Sequence, residues 1–347
     1  MRFYTKQHRY YCGIDLHARS MYVCVLNHKG ETLVHQNIPT DPNVFLALLK
    51  PYRKGVAVAA ECMFTWYWLA DLCAKEKITF VLGHALYMKA IHGGKVKNDK
   101  VDSAKIAGLL RAGMLPQAYV YPAEMRSTRD LLRRRNYLVR IRAELLAHIQ
   151  NTNSQCNFPA FDKSIAYRVN RVGAAERFDD PSVRTSMEAD LELIDHLDQM
   201  TRRLETFILR RARVHDPQAL HLIRTIPGVG KVLSLLILYE IQDIDRFPTV
   251  QDFASYARLV KCARESAGKQ VGSSGKKIGN VHLKWAFSEA AVLLLRDNPE
   301  AQRLKQRLEK KHGKAKAISI LAHKLGRATY YVIKRGKAFD MNRFLAA

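Results

Sequence analysis

The hydrophobic pattern changes its period near residue 120, and this change limits the possible folds more than any other feature of the chain. Before that point apolar residues come in short runs, such as 21–26 and 56–60, which are typical of β-strands. The run at 56–60 is continuously apolar, as a buried central strand should be. Beyond residue 125, apolar residues recur every three or four positions, which is typical of helices. The sequence therefore predicts an α/β part followed by an α part.

The same reading divides the 347 residues into three domains. We expect an α/β domain over 1–124, a helical segment over 125–215 and a helical domain over 216–347. The middle segment carries an apolar stripe close to a heptad repeat, formed by Leu193, Leu197, Met200, Leu204 and Phe207. Such long, coiled-coil-like helices suit an antiparallel spacer or an oligomer-forming arm, and a plain helical hairpin within one chain fits equally well.

The chain is strongly basic, with 57 Lys and Arg against 32 Asp and Glu and a formal net charge of +25. From Lys261 onward the imbalance is 20 against 6. Such an excess indicates a polyanionic partner, with nucleic acid ahead of an acidic membrane surface. The longest mostly apolar run, 232–239, is far shorter than the ~20 residues of a bilayer span, so no membrane segment is expected.

Cysteine usage indicates a reducing compartment. The six cysteines are scattered and none forms a C-x-x-C pair, so we expect buried, reduced thiols rather than a zinc site or disulfides. The first residues lack the apolar core of a secretory signal. We therefore expect a cytoplasmic protein. The thirteen histidines show no metal-ligand spacing.

Four acidic residues sit where they could converge on one site. Asp15 and Glu61 follow strand-like runs, and Asp99 and Asp102 lie three apart at the start of a predicted helix. Carboxylates crowded into one cleft raise each other's pKa unless a cation neutralises them. Mg²⁺ is the expected cation, because it takes carboxylate oxygens and leaves positions for phosphate. The alternative is that each acid is solvated or caps a helix.

A glycine-rich turn precedes the apolar helix predicted at 232–241. Pro227, Gly228 and Gly230 stand before Lys231 in the order of a helix-hairpin-helix turn. Glycines there would let the backbone approach a phosphate, which the free N–H groups of the helix start would bind without reading sequence. A tight structural turn between core helices is the alternative.

The segment 264–280 is rich in Gly, Ser and Lys and is followed by a predicted helix. It is not a P-loop, because its spacing departs from G-x-x-x-x-G-K-[ST]. We expect a basic loop that contacts a nucleic-acid backbone through Lys269, Lys276 and Lys277, or one that is merely solvated. A serine in it could attack a phosphodiester, and spacing does not choose among Ser266, Ser273 and Ser274.

A further basic group, Arg133, Arg134 and Arg135, lies on a predicted helix. It would bind DNA or RNA, or it would form a solvated helix face.

Taken together, these motifs and their order resemble the DEDD transposases of insertion-sequence family 110. The most specific pieces are Gly-Ile-Asp at 13–15, Asn-Asp-Lys-Val-Asp at 98–102, Ile-Pro-Gly-Val-Gly at 226–230 and Glu-Ser-Ala-Gly at 265–268. The resemblance covers most of the chain. It implies a RuvC-like domain of the RNase H fold at the N-terminus and a C-terminal transposase domain.

The resemblance also implies roles. Asp15, Glu61, Asp99 and Asp102 would form the Mg²⁺-binding tetrad, and Ser266 would attack DNA and form a covalent phosphoserine link. The family further implies a dimer or tetramer in which the tetrad of one protomer works with the serine of another. It implies donor and target DNA together with a structured noncoding guide RNA, called a bridge RNA.

Two other functions stay open at this point. A RuvC-like nuclease would hydrolyse junction DNA with metal-bound water and would not need Ser266. A non-catalytic DNA- or RNA-binding module would show salt-dependent binding without cleavage.

Overall fold

In a computed structural model of the chain, the described residues are 2–91, 98–274 and 278–346. The chain divides into two compact units, residues 1–123 and 124–347. The division after residue 123 lies one residue from the expected end of the α/β domain at 124. The expected boundary near 215 falls inside the second unit, because Met125, Ile208 and Leu236 are buried in one hydrophobic core.

The first unit is built on a five-stranded sheet with helices on both faces. The strands of this unit are β1 (Phe3–Tyr4), β2 (Tyr10–Leu16), β3 (Ser20–Asn27), β4 (Thr32–Pro39), β5 (Val56–Glu61), β6 (Thr79–Gly83) and β7 (Leu115–Pro116). Its helices are α1 (Pro42–Leu49), α2 (Trp66–Lys75), α3 (Ala85–Ile91) and α4 (Asp99–Arg111). The α/β prediction is confirmed here at the level of strands alternating with helices.

The order of strands in the sheet is β4-β3-β2-β5-β6. Strands β2, β3 and β4 pair antiparallel, as their hairpin spacing predicts, whereas β5 is parallel to both β2 and β6. Alternate residues of the central strands enter two cores: Ile14 packs with α1 and α2, and Tyr11 packs with α4. This alternation places every second residue of β2 toward α4.

The second unit is mostly helical. Its helices are α5 (Ala123–Gln155), α6 (Pro181–His215), α7 (Pro217–Arg224), α8 (Lys231–Ile241), α9 (Val250–Tyr256), α10 (Val281–Leu294), α11 (Pro299–His312), α12 (Lys314–Arg335) and α13 (Met341–Ala346). Two strands, β8 (Cys262–Ser266) and β9 (Lys269–Ser274), form a separate hairpin. Among the described helices, none combines the length and apolar character that a membrane crossing requires.

Helices α5 and α6 run antiparallel and are joined by two ion pairs and a histidine–aspartate contact. Arg135 binds Glu205, Arg142 binds Asp198 and His148 binds Asp190, each at 2.6 Å. Residue numbers rise along α5 as they fall along α6, which is the antiparallel arrangement that the sequence offers as one reading. The segment that connects the two helices also contributes apolar side chains to a small core. In it, Ile165 and Phe178 are buried together with Ile149 of α5.

Helix α8 lies at the centre of the second unit. All its residues from Leu233 to Ile241 are buried, which explains why the helix lacks a polar side. Its one charged residue in that range, Glu240, is fully buried and accepts hydrogen bonds of 2.7 and 2.8 Å from Arg133. A buried carboxylate needs such a bidentate partner, because burial without one costs several kcal/mol (roughly 3–5).

The expectation of a loop over 264–280 is wrong for its first part, where β8 and β9 pair. The two turn residues, Ala267 and Gly268, have φ values of 50° and 72°. A two-residue hairpin of this hand requires positive φ at both positions, which is usually signalled by Asn-Gly or Asp-Gly. Alanine adopts positive φ reluctantly, so the sequence carries no strong hairpin signal here.

Candidate active site

Asp15 lies on the central strand β2 beside the first turn of α4. Helix α4 begins at Asp99 with Asn98 as its N-cap, whose side chain accepts from the Val101 N–H at 2.8 Å. The helix crosses directly over Gly13, where an added Cβ would lie 2.3 Å from the Ser103 carbonyl oxygen and the Ala107 nitrogen. Because residues 13 and 15 face the same side of the strand, this close approach brings the helix start toward Asp15.

Glu61 ends the neighbouring parallel strand β5 at the level of Asp15. The register pairs Ile14 with Ala60, so Asp15 and Glu61 follow as the next residues of adjacent strands. Adjacent strands lie roughly 4.8 Å apart, and residues at one level of a parallel pair face the same side. The register thus places Asp15 and Glu61 at one level of adjacent strands, and α4 carries Asp99 and Asp102 in its first turn. Of these four acids, Asp15 and Asp99 belong to the described ligand cluster, and Glu61 and Asp102 do not.

The pKa of the Asp15 carboxyl is shifted by its burial and by the charged groups near it. Burial raises the pKa of the Asp15 carboxyl, His17 opposes that rise, and the negative charges of Asp99 and Asp102 raise the pKa further. Asp15 and Asp102 are partly shielded, with side chains 20% and 28% exposed, whereas Asp99 is 53% exposed. The site is therefore open on the Asp99 side, where a ligand can enter.

His17 lies with the acids, although no sequence pattern distinguishes it from the other histidines. Its Nε2 lies 3.5 Å from Oδ2 of Asp15 and 3.5 Å from Oδ2 of Asp99. The available signal was its position two residues after Asp15, which places both on one side of an extended chain. The expectation that no histidine has ligand spacing thus overlooked a neighbour that only the fold identifies.

The donor set suits a divalent cation. One ligand atom each from Asp15, His17 and Asp99 lie within 4.8 Å of one another. Ligands about 2.1 Å from a shared metal stand roughly 3.0–3.4 Å apart in octahedral or tetrahedral geometry, near the observed separations of 3.5 Å. A cation would also offset the repulsion among Asp15, Asp99 and Asp102.

Gly13→Ala is expected to disrupt this site. Its methyl group would meet backbone atoms of α4, which cannot rotate away, so the helix must lift from the sheet. We expect a loss of about 3 kcal/mol in the unfolding free energy, within the upper range for overpacking, and weaker divalent metal binding. Thermal unfolding and a metal titration measure the two effects.

The matched control for this substitution is Gly108→Ala, which lies three residues before the end of the same helix. An added Cβ at Gly108 meets nothing within 4 Å, so alanine there should keep or raise stability by roughly 0.5–1 kcal/mol. Equal stability of Gly13→Ala and the native chain would contradict the proposed close approach of α4.

Ser266 occupies an exposed position in the second unit, at the last residue of β8. It pairs across the two-residue turn with Lys269, which is also exposed. Cβ atoms of directly opposed residues lie about 4.5–5.5 Å apart, so the lysine can reach a phosphate that the serine hydroxyl approaches. The side chains of Ser273 and Ser274 lie outside the described part of the structure.

A largely buried polar network holds Gly279 and Asn280, which directly precede α10. The Asn280 N–H donates to the Tyr256 carbonyl at 2.6 Å, and Arg258 Nε donates to the Gly279 carbonyl at 3.0 Å. Asn280 Nδ2 donates to Glu240 at 2.7 Å, and the same Glu240 binds Arg133. These bonds tie Gly279 and Asn280, just before α10, to α8 and to the end of α9.

The other residues predicted to contact nucleic acid have mixed surroundings. Arg133 and Arg135 form ion pairs with Glu240 and Glu205, and Lys231 binds Glu205 at 3.1 Å. Arg134 is exposed, with its guanidinium 4.9 Å from the centre of the Tyr137 ring. These contacts give Arg133, Arg135 and Lys231 partners within the chain and leave Arg134 directed at solvent.

The turn at 226–230 packs tightly against α10. A Cβ at Gly228 would lie 2.4 Å from the Ala290 carbonyl oxygen, so this glycine allows helix contact. Pro227 is half-buried beside it, whereas Gly230 is exposed at the N-cap of α8. Lys276 and Lys277 lie outside the described residues.

Two family models match the chain. The one for the DEDD domain of IS110 type, described as a transposase, matches residues 12–156 and so contains the four acids. The other, described as the transposase IS116/IS110/IS902 family, matches residues 220–306 and contains Ser266. Together the matched segments cover more than half of the chain.

Two curated proteins are also similar to the chain. The pilin gene-inverting proteins of Moraxella bovis and Moraxella lacunata are each 33% identical over 127 residues. The match spans 34% of this chain and 38% of each relative, well under half of their length.

Proposed function

Because the chain carries both domains of the IS110 family of transposases, we propose that it is the transposase/recombinase of an insertion sequence and cuts and rejoins DNA. The observation that carries the proposal is the convergence of Asp15, His17 and Asp99 within a matched DEDD domain. The printed name of the Moraxella relatives, which describes inversion of a gene, supports DNA rearrangement as the reaction class.

The proposed metal site uses Asp15, Glu61, Asp99 and Asp102, with Mg²⁺ as the ion. Carboxylate oxygens are the ligands that Mg²⁺ prefers, and the open side at Asp99 leaves room for a phosphate oxygen. When bound, the ion would polarise the scissile phosphate and stabilise charge on the reacting oxygens. The first unit supplies this acidic pocket from a sheet that we assign to the RNase H/RuvC-like fold.

The proposed nucleophile is Ser266. Its hydroxyl oxygen attacks the phosphorus of a DNA phosphodiester, a P–O bond to one strand end breaks, and that end leaves as a hydroxyl while the other becomes phosphoserine. The serine proton passes to a base or solvent. Attack by a strand hydroxyl on the phosphoserine reverses the chemistry and frees Ser266, so strands are rejoined without ATP.

Lys269 and exposed Arg134 are the described cations that we propose contact the nucleic-acid backbone, together with Lys276, Lys277 and the N-terminus of α8. The basic excess of +25 also suits a structured guide RNA beside donor and target DNA. We place this activity in the cytoplasm, which suits the buried, unbridged Cys12, Cys24 and Cys73.

We further propose a homo-oligomer, either a dimer or a tetramer, formed through α6. Leu193, Met200, Phe207 and Val214 recur every seven residues, and Leu193, Phe207 and Val214 are exposed by 52%, 53% and 73%. The stripe differs from the seam that α6 buries, which includes Ile194, Leu197 and Ile208. An exposed heptad stripe of this kind suits the same stripe on a second copy.

Phe207→Ser is expected to lower the oligomeric state, because it places a polar group in the centre of the stripe. Light scattering of the full chain measures the mass directly. The control is Thr206→Ser, the exposed neighbour outside the stripe, which should leave the mass unchanged. A native chain that is already monomeric would rule out this interface.

The activity is tested on a plasmid that carries the gene with its flanking DNA, incubated with RNA transcribed from the adjacent noncoding stretch. We expect cut and rejoined products with Mg²⁺ and a covalent protein–DNA species on a denaturing gel. Chelation should remove both. Hydrolytic cleavage without a covalent species would instead favour a RuvC-like nuclease, and binding without cleavage would favour a non-catalytic module.

A further inference from the structure

The last three helices line a pocket that lies almost entirely outside the two segments matched by the family models. A cavity of about 820 Å³ lies between α11, α12 and α13, and we call it the C-terminal pocket. All but one of its lining residues lie beyond residue 306, where the second match ends. Its volume falls within the range of about 300–1,000 Å³ that is typical of small-ligand sites.

The lining of the C-terminal pocket is cationic at the rim. Six of its residues are basic and one, Asp340, is acidic; the basic ones are Arg307, Lys324, Arg327, Arg335, Lys337 and Arg343. The surrounding segment 299–346 holds 13 Lys and Arg against 3 Asp and Glu. Like charges at this density repel one another, which favours a ligand that carries several negative charges.

Burial and neighbouring positive charges lower the pKa of two basic groups in the pocket. Burial lowers the pKa of Lys324, and the Arg307 charge lowers it further. Burial lowers the pKa of His323, and Arg327 adds to that shift. Arg307 of α11 and His323, Lys324 and Arg327 of α12 all line this one pocket, so an anion placed there would relieve their repulsion.

The floor of the pocket is aromatic. Tyr331 is half-buried under the Arg335 guanidinium, which lies 4.5 Å from the ring centre. Phe344 is buried, and Lys324 Nζ lies 5.2 Å from the centre of its ring. Flat apolar rings beneath cations fit a ligand that is planar and apolar in one part and anionic in another.

We propose that the C-terminal pocket binds an unpaired nucleotide of a single-stranded nucleic acid, with its base against the half-buried Tyr331 and its phosphates against Arg307, Lys324 and Arg327. Stacking of bases on aromatic side chains beside a basic groove is a general mode of single-strand binding. A duplex would offer phosphates alone and leave the aromatic floor unused. The choice of nucleic acid over other polyanions rests on the proposed function.

The test uses fluorescence anisotropy with a labelled single-stranded 12-mer and a duplex of the same sequence, each as DNA and as RNA. Tyr331→Leu keeps an apolar side chain but removes the stacking face. It should weaken single-strand binding by roughly 5- to 100-fold and leave duplex binding unchanged. Tyr331→Phe retains the ring and should bind as the native chain does, which separates stacking from folding.

The contribution of the pocket cations is tested with two double variants. Arg307→Gln/Lys324→Gln removes two pocket cations, whereas Lys311→Gln/Lys316→Gln removes two exposed lysines of α11 and α12 outside the pocket. The first should weaken single-strand binding roughly 10-fold and reduce the salt slope by about 1.4, and the second should have a much smaller effect. The DNA and RNA arms identify which strand the native chain prefers.

Equal loss of binding in both double variants would overturn the proposal, as would equal effects of Tyr331→Leu on single strand and duplex. Tight binding of a poly-glutamate peptide in competition with the 12-mer would overturn it in favour of an acidic protein. If the native chain forms the covalent DNA species but Tyr331→Leu binds the single strand as tightly as the native chain, the pocket proposal is wrong and the proposed function still stands. If the native chain binds neither strand nor duplex, the proposed function fails with it.

Discussion

Replacing Ser266 by alanine should abolish the covalent protein–DNA species and reduce recombination by at least about 10³-fold, since loss of a nucleophile in other covalent enzymes costs up to ~10⁶ in kcat. The serine is exposed at the end of β8, opposite Lys269 across a tight turn. Removing one oxygen from an exposed position should leave the unfolding temperature of the protein unchanged. A denaturing gel with end-labelled DNA measures the covalent species.

The matched control for Ser266→Ala is Ser273→Ala, which alters another serine of the same hairpin. It should form the covalent species at the native level. A species that persists in Ser266→Ala and disappears in Ser273→Ala would move the nucleophile to the other strand. Strand cleavage that persists in Ser266→Ala without any covalent product would indicate hydrolysis.

The second large effect is expected for Asp15→Asn. This change keeps the shape of the side chain and removes the central negative charge of the acidic site, so metal stabilisation of the reacting phosphate is lost. Since such stabilisation is worth several kcal/mol and each 1.36 kcal/mol is tenfold in rate, cleavage should fall by at least about 10³-fold. Cleavage of the flanking-DNA plasmid at saturating Mg²⁺ measures it.

The control for Asp15→Asn is Asp71→Asn, an exposed residue of α2. It removes the same charge from the first unit and should retain cleavage. Asp15→Asn should also be no less stable than the native chain in the absence of metal, because burial disfavours the charge of Asp15, and Asp99 and Asp102 repel it. Cleavage at the native rate by Asp15→Asn would exclude this carboxylate from the reaction.

Acidity should affect the native site in a defined direction. A raised pKa in the folded chain means that Asp15 holds its proton to higher pH than a free aspartate does. Metal binding requires the ionised form, so affinity should fall as pH drops through that raised pKa.

The approach of Asp15 to the start of α4 was predictable because both lie on regular elements. Asp15 and Glu61 end short apolar runs, and a D-x-x-D start marks α4, so strand pairing and one helix crossing bring the first turn of α4 to Asp15. The sequence did not indicate the close backbone contact between β2 and α4 that lets the helix cross the strand. The need for glycine at position 13 comes from backbone atoms of Ser103 and Ala107, about ninety residues away.

The basic residues show the opposite case. Charge runs at 133–135 indicate nucleic-acid binding in a sequence, yet Arg133 and Arg135 meet Glu240 and Glu205 from distant helices. Such pairing depends on tertiary contacts, which a local pattern does not contain. The C-terminal pocket is a similar case. Its positive charge can be read from the sequence, but its cavity cannot, because residues of α11, α12 and α13 come together only in the folded chain.

Calorimetric titration of the full chain with Mn²⁺, with Mg²⁺ as competitor, measures whether the acids of the first unit share one divalent cation. We expect saturable binding that Mg²⁺ displaces and that Asp15→Asn and Asp99→Asn each weaken by at least about 10-fold, with Asp71→Asn unaffected. An isotherm that is the same for the native chain and all three variants would contradict the shared site.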